Sequence, residues 1–175
     1  MKKPFYFCLL ILSILLSVSG LAAIPDIMEL SPAAGICVEE AVQLPLYAGP
    51  TVQYMQIDGV QLDPSKPYVC FGQSDSWTMA AQGTPDSFGP VGWIETAAVQ
   101  GIMEPELSFA DRLPAMLEEE AALSFVPDGS PADACLTLAR GTSLQILGRI
   151  GDALYIETET DGTVVRGFVT ESAVE

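Results

Sequence analysis

Histidine is absent from the 175-residue chain, and lysine and arginine together number 7 against 23 aspartates and glutamates. Without histidine there is no Ser-His-Asp triad, no Cys-His pair, and no imidazole for zinc binding or for proton transfer near neutral pH. Any catalysis would fall to carboxylates or hydroxyls alone. The scarcity of cations leaves a formal charge of -16, which repels phosphate backbones and anionic lipid heads, so neither nucleic acid nor a membrane surface is expected as a partner. Cationic partners stay open. Cysteine is also scarce, at 4 residues, and no long helical period runs through the chain.

What is present begins with an export leader. Lys2 and Lys3 precede an apolar run over residues 5–16, and small residues over 17–23 form a cleavage region, so residues 1–23 are expected to be a signal peptide cut after Ala23. The alternative is an uncleaved anchor, because residues 5–24 approach the length that spans a bilayer; Ser17, Ser19 and Gly20 end the run early and favour the leader. Lipid attachment is not expected, since Cys8 lies within the apolar run and Cys37 lies too far beyond it. The mature chain is then periplasmic or extracellular, without stable membrane contact, and more negative by two charges once Lys2 and Lys3 are gone. Three cysteines remain, and in an oxidising compartment an odd number allows at most one internal bridge. Cys37 and Cys70 are the candidate pair, both in the first half; the alternative is that Cys37, Cys70 and Cys135 are small buried apolar side chains.

The two halves of the mature chain repeat. Gly92-Trp93-Ile94-Glu95-Thr96-Ala97-Ala98-Val99-Gln100 sets on Gly167-Phe168-Val169-Thr170-Glu171-Ser172-Ala173-Val174-Glu175 without a gap. Upstream, Glu39-Glu40-Ala41 leads into Leu44-Pro45-Leu46-Tyr47 as Glu119-Glu120-Ala121 leads into Leu123-Ser124-Phe125-Val126. Between these anchors, Asp75-Ser76-Trp77-Thr78-Met79 is set against Asp152-Ala153-Leu154-Tyr155-Ile156.

Each half is a series of short β-type runs broken by turn residues. In the second, residues 144–147 end at Gly148, and residues 154–158 run to Asp161-Gly162, with 164–169 following. Asp-Gly between two such runs is a strong hairpin signal. In the first half the runs are 52–57, a turn at Asp58-Gly59, 68–72, 77–81, a longer loop over 83–90, and 91–95. About five short strands in each half favour a small closed barrel over a sandwich. The fold class expected is therefore all-β, with two tandem small barrels over residues 37–100 and 117–175 and a linker over 101–116. Residues 109–120 are the one stretch that could turn helical, with Ser108 as cap, but Pro114 interrupts it.

This pattern resembles the bacterial SH3-like domain. In the second half the resemblance rests on Leu123 to Phe125, Asp128-Gly129-Ser130-Pro131, Leu138 followed by Gly141-Thr142, and the closing Gly167-Phe168-Val169; in the first it rests on Trp77 and Gly92-Trp93-Ile94. The first half departs from the pattern where Asp63-Pro64-Ser65-Lys66 replaces the usual glycine before the third strand. The resemblance implies two tandem SH3-like barrels and a non-enzymatic binding module of the bacterial envelope, recognising peptide or peptidoglycan. The cysteine-histidine peptidase that commonly accompanies such domains has no place in a chain without histidine. The acidic charge also suits an inhibitor or scaffold for a basic secreted protein.

Candidate ligand-binding residues are the aromatic side chains Tyr47, Tyr54, Trp77, Trp93 and Tyr155, whose rigid rings offer large contact area. Core packing is the alternative, above all for Trp93 and for Phe168, which occupy the same place in both halves. Glu118-Glu119-Glu120 and the acidic residues of 157–161 could supply paired carboxylates for glycoside hydrolysis, but acids clustered beside a turn usually form a solvated face. Asp161-Gly162 with Glu157 or Glu159 lacks the full looped pattern of a calcium site. No catalytic residue, cofactor or metal is expected.

Overall fold

The computed structural model describes residues 27–99, 105–128 and 134–174, so the expected leader lies outside the described residues. The chain is all-β. The first half supplies β1 (Ala33–Ala34), β2 (Leu44–Tyr47), β3 (Gln56–Leu62), β4 (Tyr68–Ser74), β5 (Trp77–Thr84) and β6 (Ser87–Glu95). The second supplies β7 (Leu113–Met116), β8 (Ala121–Ser124), β9 (Ala134–Leu138), β10 (Ser143–Ile150), β11 (Ala153–Thr160) and β12 (Thr163–Thr170). Each set forms an antiparallel six-stranded sheet, ordered β1-β4-β5-β6-β2-β3 and β7-β10-β11-β12-β8-β9. Raising every strand number by six converts the first order into the second. Even the irregularities repeat: a bulge falls between Cys70 and Gly72 in β4 and between Ile146 and Gly148 in β10. Neither sheet closes on itself, for the edge strands β1 and β3, or β7 and β9, share no ladder among the described residues.

Several local expectations change. Asp161 and Gly162 both take positive φ, 51° and 76°, as a two-residue hairpin turn requires, and Thr160 pairs with Thr163. Residues 83–90 are not a long loop, because a bulge between Ala81 and Gly83 carries β5 on to Thr84, opposite Ser87. Asp58-Gly59 lies within β3 and not at a turn. No helix forms over 109–120; Leu113–Met116 pairs with β10 as an edge strand, where Pro114 is tolerated, so part of the expected linker belongs to the second sheet.

The register also corrects the repeat by one residue. Met79 lies opposite Trp93 as Tyr155 lies opposite Phe168, and Thr96 N–H donates to Ser76 O as Glu171 N–H donates to Asp152 O. Trp77 therefore corresponds to Ala153, not Leu154. In a strand a one-residue slip exchanges the two faces, and here the faces enter different cores. Ala80 and Ile94 pack with Leu46, Ile57 and Leu62 in a core of the first half, while Leu154, Ile156, Val165 and Val169 pack in a core of the second. The alternate residues Trp77, Met79, Ala81, Val91 and Trp93 meet Ala153, Tyr155 and Phe168 in a third core shared by both halves. With both faces covered, β5 is buried continuously from Trp77 to Ala81 and β11 from Ala153 to Ile156.

The leading segments fasten this arrangement by exchange. Before β1, Leu30 N–H donates to Arg149 O of β10 at 2.8 Å, and Arg149 N–H donates back to Met28 O at 2.9 Å. Before β7, Gln73 N–H of β4 donates to Pro105 O at 2.9 Å, and Leu107 N–H donates back to Gln73 O. Leu30 and Leu107 are both buried in the shared core. Each half thus lends the segment ahead of its first strand to the other half. Glycine permits the approach: a Cβ on Gly72, which has φ +142°, would strike the Pro105 carbonyl, and one on Gly148 would lie 3.0 Å from Met28 O.

Candidate functional site

The shared core is where the structure places most of the predicted aromatic site. Trp93 is 0% exposed, and its Nε1–H donates to Tyr155 Oη at 2.8 Å across the seam between the halves. Tyr155 packs on Phe168 at 5.1 Å between ring centroids, and Phe109 stands between Trp93 and Tyr155 at 5.9 and 6.2 Å. Burial pushes the Tyr155 hydroxyl up to about 12, against the opposing charge of Arg166. Trp77, also buried, meets half-buried Tyr47 edge to face at 5.5 Å. Trp77, Trp93 and Tyr155 are therefore withdrawn from any surface groove, because the shared core claims their faces. Only Tyr47 and Tyr54 keep partial exposure.

Tyr54 belongs to a polar cluster that closes the same seam. Arg166 on β12, its side chain 4% exposed, lies directly opposite Glu157 on β11 and gives both Nε–H and Nη2–H to Glu157 Oε2 at 2.7 Å. Tyr54 Oη donates to the same oxygen at 3.2 Å, and Arg112 bonds the other carboxylate oxygen. The Arg166 guanidinium lies between the Tyr54 and Phe109 rings, 5.1 Å from each centroid. Burial works to raise the Glu157 carboxyl, but the charges and hydrogen bonds of Arg166 and Arg112 outweigh it and hold the group below its ordinary value. For Arg166, burial is likewise outweighed by its anionic and phenolic neighbours, and the guanidinium stays charged. At the equivalent positions in the first half the facing pair is Ala81 and Val91. The latch is thus present on one side of the repeat only.

A group held below its ordinary pKa stabilises the fold above the unfolded value and loses that contribution as pH falls through the folded one. The seam should therefore hold at neutral pH and weaken as pH drops below about 4.3, the ordinary glutamate value. Thermal melts across acidic pH check this: Glu157→Gln should melt lower at neutral pH and show a flatter acid limb than the parent. Parallel limbs would remove Glu157 as the titrating group.

Beside the seam runs a groove of about 440 Å³. Asp86 and Phe88 come to it from the β5–β6 hairpin, Pro127 and Asp128 from the segment after β8, and Ile150 and Asp152 from the β10–β11 turn. Asp86, Asp128 and Asp152 are exposed, and among the described residues none of the three has an ion-pair partner. A smaller hollow of about 170 Å³ shares Pro127 and Thr170 with the groove and is also lined by Glu119 and Glu120. The cations, by contrast, are engaged elsewhere. Lys66 pairs with Asp63 at 2.9 Å, Arg149 pairs with Glu171 at 3.1 Å and Glu29 at 3.7 Å, and Arg112 and Arg166 share Glu157. Arg140 alone has no ion pair among the described residues.

The remaining predicted groups are dispersed. Cys37, Cys70 and Cys135 are free thiols. The register explains why the candidate bridge is not made: Ala33 faces Cys70, Gly35 N–H bonds Tyr68 O, and Val38 N–H bonds Pro64 O, so Cys37 lies several residues beyond Cys70 along β4. Among the described residues, no group of three or more cysteines, aspartates or glutamates could hold a metal ion. Glu118, Glu119 and Glu120 are all exposed. No helix among the described residues is long and apolar enough to cross a membrane. No family model, curated protein or solved structure matches this chain.

Proposed function

We propose that this is an exported, non-enzymatic binding protein of the bacterial envelope, built from two SH3-like units, that recognises a basic protein or peptide through its acidic surface. The short strands, the repeated strand order and the closing Gly-Trp-Ile and Gly-Phe-Val segments support the SH3-like reading of each half. The observation that carries the functional reading is the disposition of charge. Four of the five cations outside the expected leader are consumed by internal ion pairs, while most carboxylates of the described residues face solvent without an ion pair among those residues. Such a surface attracts a cationic partner and speeds its encounter. A ring-lined groove for peptidoglycan has less support, because three of its five rings lie in the shared core.

The test is to titrate the chain from Ile24 onward against a labelled peptide of alternating lysine and alanine, at about 10 mM and about 150 mM salt, where the screening length falls from roughly 30 to 8 Å. Sedimentation with intact peptidoglycan sacculi runs beside it. Peptide affinity that drops about tenfold or more between the two salts is the expected result. Salt-independent retention on sacculi without peptide binding would overturn the charge-based reading in favour of the wall-binding one.

A further inference from the structure

We infer that the groove at the seam is the docking site for an extended basic segment of the partner, an inference that rests on the charge-based reading above. Its walls combine two chemistries that a lysine or arginine side chain needs together. Phe88, Pro127 and Ile150 offer apolar surface for an aliphatic stem, and Asp86, Asp128 and Asp152 ring the rim where the charged end would emerge. Among the described residues no cation lines the groove, and the nearby Arg149 is engaged by Gly151 O, Glu171 and Glu29. Complementarity is therefore one-signed.

A metal ion is the wrong occupant. The three carboxylates come from three separate turns, and among the described residues no set of acids is close enough to hold one. At about 440 Å³ the groove is in the range of organic ligands. The neighbouring hollow, which shares Pro127 and Thr170 with the groove and is lined by Glu119 and Glu120, gives a second acidic station, so a segment with cations spaced along an extended backbone fits better than a single amine. The groove also draws on both halves, with Asp86, Ser87 and Phe88 from the first and the rest from the second. Neither half alone would form it, which gives the shared core a functional consequence.

The test compares two triple variants of the chain from Ile24 onward, each removing three negative charges. Asp86→Asn, Asp128→Asn and Asp152→Asn empty the groove rim; Glu39→Gln, Glu40→Gln and Glu95→Gln remove exposed acids elsewhere. All six side chains are exposed and without ion pairs among the described residues, so both variants should melt close to the parent. With the lysine-alanine peptide at low salt, the groove variant should lose about tenfold or more in affinity and the control about twofold at most. Backbone amide shifts on peptide addition should centre on residues 86–88 and 150–153. Equal losses in the two variants, or shifts spread evenly over the surface, would overturn the groove while leaving the charge-based function standing. Failure of the parent chain to bind the peptide at either salt would overturn both.

Discussion

Replacing Glu157 with alanine should lower the stability of the protein by about 3–5 kcal/mol, the usual cost of leaving a buried charge without its partner. Arg166 is the charge in question. Its side chain is 4% exposed, two of its nitrogens bond Glu157, and its remaining terminal nitrogen, Nη1, is buried with no hydrogen-bond partner. Removing the carboxylate leaves the guanidinium beside the Tyr54 and Phe109 rings and the Tyr155 hydroxyl, with no anion to pair with among the described residues. Arg112, at 42% side-chain exposure, can return to water, so its share of the loss is small. The double replacement Glu157→Leu with Arg166→Met should recover most of the stability, because an apolar pair of similar volume needs no desolvation of charge. The first half already uses this solution, with Ala81 facing Val91 at the equivalent place. Chemical denaturation of the three variants measures both results. A Glu157→Ala loss under about 1 kcal/mol would place the pair with ordinary surface bridges.

Trp93→Ala should cost at least as much, about 3–5 kcal/mol for the emptied volume alone. The ring is fully buried where the halves meet, and its Nε1–H is the donor to Tyr155 Oη. Truncation therefore opens a cavity and removes the hydrogen bond to a buried hydroxyl, adding about 1–3 kcal/mol. Trp93→Phe separates the two terms: most of the packing stays, and the hydrogen bond goes. If Trp93 instead lined a ligand groove, both variants would fold with near-parental stability and lose binding only. Denaturant midpoints for the two variants decide between these outcomes.

The contrast shows which parts of the molecule are legible in the sequence. The all-β class and the repeat are legible because turn chemistry and the Gly-aromatic-β-branched endings are local signals. Asp161-Gly162 marks its hairpin, although the same pair at Asp58-Gly59 lies inside β3. The shared core is less legible, since a buried strand and a half-buried strand with an aromatic groove both present apolar residues in short runs, and only the register tells which face each residue takes. The one-residue slip at Trp77 hides this. The bulge between Ala81 and Gly83, which has no counterpart in β11 and β12, adds to this by changing the offset between the halves without a turn signal to mark it.

The latch is legible in the hairpin register. Counting outward from Asp161-Gly162, Thr160 faces Thr163 and Glu157 faces Arg166, so the hairpin register alone sets the ion pair. Read as part of an acidic run, Glu157 looks like a solvated residue; read across the hairpin, it is the partner of a cation on the next strand. The exchanged leading segments carry no such signal, because a parallel contact of three residues with the other half depends on the packing of both sheets.

The two halves should behave as one cooperative body joined by the aromatic core, and hydrogen exchange of the unmutated chain in low, increasing denaturant measures this. Amides of β5, around Met79, and of β11, around Tyr155, should open with the same free energy and the same denaturant dependence, because the core they share is lost in one step. Opening of one strand at a distinctly lower free energy, with the other still protected, would show that the halves are independent domains.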